Sequence, residues 1–259
     1  MFEASLIINK NATKSRIVLR LSHALFDATS LPVIFDTFAS SFNRAQLSTP
    51  LVPFREYVED VLKHQNESSA IQYWRQVLQN ATMPRIGAVL PTGQLFRMRR
   101  TNTYEVNISK APTQGIALAS VVKAAWALTL MRHSQTHDIL FAEAVAGRSA
   151  VRSTIAGAVG CCFALEPARI DVRAAWRPLD LLQFVQDQQI AGVAYETLGE
   201  HNVLDVCTEL PSGTEFSSAI NYQGPKSAVS LRLNNIDFLG INRKPAPPYG
   251  VTDVELYVT

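Results

Sequence analysis

Apolar and polar positions partly alternate through residues 16–23, with Ile17, Leu19, Leu21 and His23 on one face and Arg16, Arg20 and Ser22 on the other. That is the period of a half-buried strand, and it predicts that His23 closes the strand and points inward. After Asp27 the period lengthens. Leu31, Ile34, Phe35, Phe38 and Phe42 fall on one helical stripe, Ser30 is the expected N-cap, and Pro32 sits where a first turn tolerates it. An imidazole thus stands at the end of a strand, four residues before a carboxylate, in a loop facing the interior. These residues alone leave two readings open: a reacting histidine, or a satisfied core histidine beside a capping aspartate.

Around this stretch the pattern predicts a strand at 4–9, joined through 9–12 in a hairpin-like connection, and helices at 54–64 and 69–78 after the break at Ser48-Thr49-Pro50. The first of these helices should bury Phe54, Tyr57, Val58, Val61 and Leu62. Residues 80–102 lose periodicity and carry Pro84, Gly87, Pro91, Gly93 and the Arg97-Met98-Arg99-Arg100 cluster, which reads as a loop or lobe crossover with a solvated basic face. Further on come a strand at 103–108, a helix at 119–133 that is apolar nearly all round, a buried strand at 139–145, a strand at 168–172 and a helix at 179–194. Strand candidates at 216–222, 229–239 and 251–258 close the chain.

Composition narrows the classes. With 259 residues and 47% apolar side chains the core can be large, while 24 basic against 22 acidic residues leave almost no net field. Neither a nucleic-acid groove nor an anionic membrane surface fits that balance. Three cysteines, two of them the neighbours Cys161 and Cys162, make no disulfide framework. The N-terminus lacks a charged-then-apolar leader, and the apolar run at 118–131 is too short to span a bilayer. The expectation is a soluble, cytoplasmic protein. His133 and His137 are spaced to share a metal on a helix, but no glutamate follows His133 and the helix should end between them. Adjacent cysteines on a strand point to opposite faces and make poor ligands. No metal is expected.

The stretch Ser22-His23-Ala24-Leu25-Phe26-Asp27-Ala28 resembles the H-H-x-x-x-D-G motif of condensation domains in nonribosomal peptide synthetases. It has the S-H-x-x-x-D form of fungal, product-releasing terminal domains. Six further matches follow in the family's order: 53–57, Tyr73-Trp74 with Val77-Leu78, 124–128, 138–141, Gly147-Arg148 with the run from Val159-Gly160 to Arg169-Ile170-Asp171, and Phe216-Ser217-Ser218 with Asn221-Tyr222-Gln223. The resemblance implies an α/β fold of the chloramphenicol acetyltransferase type, a two-lobe sandwich of mixed sheets and helices with the site in the cleft between lobes. It further implies acyl transfer from a carrier-bound thioester to an amine or hydroxyl, in which His23 is the general base or positions the nucleophile. Cyclisation and release of a peptide are a further option. Under the same resemblance Asp27 turns back into the fold and pairs with Arg169. No cofactor is held directly, because the acyl group arrives on the phosphopantetheine arm of a carrier domain. An imidazole suits the task on chemical grounds, since its titration spans neutral pH.

Three departures stand out: Ser22 replaces the first histidine, Ala28 the glycine that would tolerate positive φ, and Ala164 the asparagine of the later run. Set against the family the chain is also short at both ends, with 1–95 expected as a partial N-terminal lobe and 96–259 as a partial C-terminal lobe. The absent first-lobe segment could then lie on another chain. Two alternatives to an active condensation enzyme follow. One is a catalytically inactive remnant that binds or scaffolds a carrier domain, and the other a free-standing H-x-x-x-D acyl-CoA acyltransferase, although nothing here matches the D-F-G-W-G of that group.

Overall fold

A computed structural model describes residues 2–8, 15–47, 50–84, 86, 104, 115–223, 238–246 and 251–258. In chain order the elements are β1 (Phe2–Ile8), β2 (Ser15–Ser22), α1 (Ser30–Phe42), β3 (Val52–Pro53), α2 (Phe54–His64), α3 (Glu67–Val77) and α4 (Leu118–Ser134). There follow β4 (Asp138–Val145), β5 (Ala158–Val159), β6 (Ala164–Asp171), α5 (Pro178–Gly192), α6 (Glu200–Cys207), β7 (Ala219–Ile220), β8 (Phe238–Ala246) and β9 (Val251–Val258). Most of the expected strands at 103–108 and 229–239, the 9–12 connection and the arginine cluster lie outside the described residues. Helix α6 has no counterpart in the expectations, and the strand expected at 216–222 shrinks to two residues.

The chain forms two compact, interleaved units. The first comprises Met1–Gln65, Ala146–Ala164 and Pro225–Thr259, the second Asn66–Val145 and Leu165–Gly224. A single cut near residue 95 does not describe this division, because residues 146–164 return to the unit that begins the chain. They bring it the partners of a carboxylate buried there.

In the first unit β1, β2, β9 and β8 form an antiparallel sheet in that order, and β3 pairs in parallel with β5. Leu19 and Leu21 of β2 meet Phe26, Leu31 and Phe35 in one core cluster, so the alternation and the helical stripe read from the sequence do converge. The second unit is built on β4, at the centre of the sheet β6-β4-β7. Ile139 and Phe141 pack with residues of α4, α5 and β6, while Leu140 packs on the opposite side with Trp74 of α3 and Val203 of α6. A strand covered on both faces reads as a continuous apolar run, as Ile139 to Ala142 does.

Helix α2 departs from its expected stripe. Tyr57 and Asp60 are its buried residues, and Phe54, Val58 and Leu62 are exposed. Hydrogen bonds as well as packing choose this face: the Tyr57 hydroxyl donates to Gly147 O at 2.5 Å, Asp60 holds Arg152, and Tyr57 and Val61 pack against Ile155 and Ala158.

Candidate active site

Strand β2 stops at Ser22, and the alternation stops with it. His23 opens a single 3-10 turn, His23–Leu25, and its side chain is exposed instead of continuing the inward face of the strand. Two aromatic rings fix the imidazole. It stacks on Phe26 with centroids 4.8 Å apart and meets the edge of Phe163 at 6.0 Å. Among the described residues none hydrogen-bonds to its ring nitrogens.

Asp27, 4% exposed, faces the other way. Its Oδ1 accepts from the backbone N–H of Thr29 at 3.1 Å and of Ser30 at 2.8 Å, so the aspartate caps α1. Ser30 is therefore the first residue of the helix rather than its cap. Its hydroxyl lies 2.8 Å from Asp27 Oδ1 and 2.7 Å from Gly160 O, and accepts from Gly160 N–H at 3.1 Å. Arg148 Nη2 lies 2.7 and 2.6 Å from the two carboxylate oxygens, and Cys162 N–H donates to Oδ2 at 3.0 Å. Burial resists ionisation of Asp27, but the Arg148 guanidinium and the Ser30 and Cys162 donors outweigh it and hold the carboxyl below its ordinary value.

The ion pair expected between Asp27 and Arg169 is thus corrected: the partner of Asp27 is Arg148. Arg169 belongs to the second unit, where Nε and Nη2 bind the Asp138 carboxylate at 2.8 and 3.0 Å, and Nη1 donates to Val77 O and Gln79 O at the end of α3. The usable signal was the dipeptide Gly147-Arg148. Gly147 has φ +64°, and a Cβ there would lie 1.8 Å from Cys162 O. Only glycine allows the turn that aims Arg148 inward. Ala28 is not among the residues with positive φ, so replacing the family's glycine there strains nothing.

Cys161 and Cys162 sit beside this network, and burial, as the main cause for both, raises their thiols, Cys162 to about 11. Neither is a thiolate nucleophile at neutral pH. His133 and His137 are both exposed, and Gln135 between them ends α4 in the left-handed region with φ 58°. Among the described residues no three histidine, cysteine, aspartate or glutamate side chains converge to hold a metal ion, and no helix is long and apolar enough to cross a membrane.

The order of these parts, an imidazole turn, its locked aspartate and the Gly-Arg that locks it, has a counterpart. Residues 2–205 match the family model of the condensation domain. The chain belongs to the condensation-domain family. It is 35% identical over 222 residues to FR901469 synthetase of Dothideomycetidae sp. (strain 11243), covering 86% of this chain and 1% of that protein. It is likewise 35% identical over 239 residues to nonribosomal peptide synthetase easA of Emericella nidulans, covering 90% and 3%. Malformin synthetase mlfA of Aspergillus sclerotiicarbonarius matches at 32% over 231 residues, covering 88% and 4%. Among solved structures that of CT gives TM-score 0.76 at 22% identity, covering 99% of this chain and 60% of CT. The starter condensation domain of rhizomide synthetase RzmA gives 0.62 at 14%, covering 90% and 57%. These structures share the mixed α/β fold expected from the sequence. This condensation-family chain spans only a few per cent of its curated relatives.

Proposed function

We propose that this chain carries the acyl-transfer centre of a condensation domain and that His23 is its proton acceptor. The observation that supports the reading is the exposed, ring-clamped imidazole set on a turn whose far side is anchored by Asp27 and Arg148. Orientation is supplied by packing, and no described residue ties up the nitrogens. The donor is an acyl thioester on the phosphopantetheine arm of a carrier domain, and the acceptor an amine or hydroxyl. As the acceptor nitrogen or oxygen bonds to the thioester carbonyl carbon, its proton passes to His23. Collapse of the tetrahedral adduct breaks the carbon–sulfur bond, and the imidazolium returns the proton to the departing thiolate. No covalent enzyme intermediate is required, in keeping with two thiols that stay protonated.

Asp27 is not the base in this scheme, because its carboxylate faces its own cage and not the imidazole. Loading a carrier protein with an acyl group and following amine-dependent release tests the reading. His23→Ala should cost roughly 10²–10⁴-fold in transfer, the usual contribution of a general base. Undiminished transfer in that variant would overturn it. Carrier binding without any transfer by the parent chain would favour the scaffold alternative, and transfer from free acyl-CoA the acyltransferase one.

A further inference from the structure

Asp60 is a buried carboxylate that the proposed chemistry does not use. It lies on α2, 3% exposed, and its Oδ2 accepts from the backbone N–H of Arg152 at 3.2 Å while Oδ1 pairs with the Arg152 guanidinium. His64, one turn on, places Nδ1 3.3 Å from Oδ1 and 2.9 Å from Asp60 O. Burial resists ionisation of Asp60, but the Arg152 donors and charge, with a smaller contribution from His64, keep its carboxyl below the ordinary value.

From Arg152 a run of hydrogen bonds reaches the Asp27 carboxylate, four residues along the chain from His23. Arg152 O accepts from Ile155 N–H at 2.9 Å and Ala156 N–H at 3.2 Å, and Ile155 O accepts from Ala158 N–H at 2.9 Å. The turn so closed presents two carbonyls, Ala156 O and Ala158 O, to Arg148 Nη1 at 3.2 and 2.9 Å. The other terminal nitrogen of the same guanidinium binds Asp27. Ile155, Ala158, Cys162 and Tyr57 pack in one cluster beneath the turn.

We propose that Asp60 is a positioning residue for His23, acting through Arg152, the 152–158 turn, Arg148 and Asp27. A planar guanidinium bound at both terminal nitrogens transmits the position of the carbonyls on one side to the carboxylate on the other. Loosening the turn at its Asp60 anchor therefore tilts Arg148, then the Asp27 cage, then the turn holding the imidazole. The inference deepens the reading of His23 as proton acceptor and rests on it for its consequence in turnover, though not for its geometry.

The test uses the full chain and reads the ring directly. In NMR spectra the His23 ring resonances, identified by their loss in His23→Ala, report displacement against Phe26 and Phe163. Asp60→Asn and Arg152→Ala should both shift those resonances and the Cys162 amide, while His133 and His137 in the second unit stay at their parent positions. Transfer should fall on the order of tenfold in kcat with KM unchanged, less than the roughly 10²-fold that a full 1 Å misplacement can cost. Arg152 is 62% exposed at its side chain, so Arg152→Ala carries the test if Asp60→Asn does not fold. His23 resonances left in place by the folded variants would overturn the proposal. Shifted resonances together with full transfer by His23→Ala would instead sink the functional reading and leave the positioning intact.

Discussion

Asp27 in the first unit and Glu166 in the second are both withdrawn from water, and burial raises the cost of ionising each. Asp27 meets a guanidinium, a hydroxyl and three backbone N–H groups, and its carboxyl ends below the ordinary value. Glu166 on β6 has Oε1 sealed from solvent, with no hydrogen-bond partner among the described residues. Burial above all, then the Glu196 and Glu143 carboxylates, push it up to about 8, and Lys123 offsets only part of this. Lys123 is already paired with Glu143 inside the same unit. Depth alone therefore does not decide the charge state of a buried acid. What decides it is whether donors converge on the carboxylate or a second carboxylate reaches the available cation first.

The largest effect that would break the contrast is removal of Arg148. Arg148→Ala leaves Asp27 ionised and uncompensated in the interior, and Asp27→Ala leaves the guanidinium in the same position. Each should cost roughly 3–5 kcal/mol in denaturant unfolding. The pair Asp27→Leu with Arg148→Met should cost less than either alanine variant, because no charge is then stranded. If Asp27→Ala melts like the parent, the cage is not what stabilises the first unit.

Acid and alkali should act on opposite units. Asp27 has a folded-state pKa below its unfolded value of about 3.9, so its stabilisation is present above that value and is lost as pH falls through the folded pKa. Glu166 has a folded-state pKa above its unfolded value. Its contribution is complete below 4.5 and is lost as pH rises toward about 8. Hydrogen exchange should accordingly speed up first in the first unit below about pH 4 and first in the second unit as pH rises from 4.5 toward about 8. Glu166→Gln keeps the neutral shape and should abolish the alkaline loss, which the shift bounds at a few kcal/mol. Parallel stability profiles of parent and Glu166→Gln between pH 4.5 and about 8 would end the comparison.

Periodic patterns disclosed most of the first unit and little of its chemistry. Leu19 and Leu21, and Leu31 and Phe35 after them, are buried as their spacing requires, because apolar faces are selected by area alone. His23 broke the rule: a strand can end one residue before its pattern does, and the ring then points elsewhere. Asp60 was hidden for a related reason. A helix face that closes on donors carries an acid where an apolar residue is expected, so Val58 and Leu62 drew attention away from it. Resemblance correctly indicated an arginine for Asp27, but motif order does not encode which arginine is near in space. That required Gly147, whose backbone turn is visible only in three dimensions.

The smallest predicted effect separates the two arginines. Arg169 pairs with Asp138 at partly exposed positions, with side-chain exposures of 18% and 23%, and caps the last carbonyls of α3. Arg169→Ala removes hydrogen bonds that water can partly replace, so it should cost only about 1–2 kcal/mol. Exchange should quicken at the end of α3, and the His23 ring resonances should stay where they are. Arg148→Ala should move those resonances. A ring displaced as far by Arg169→Ala as by Arg148→Ala would return the aspartate to the partner that motif order alone selects.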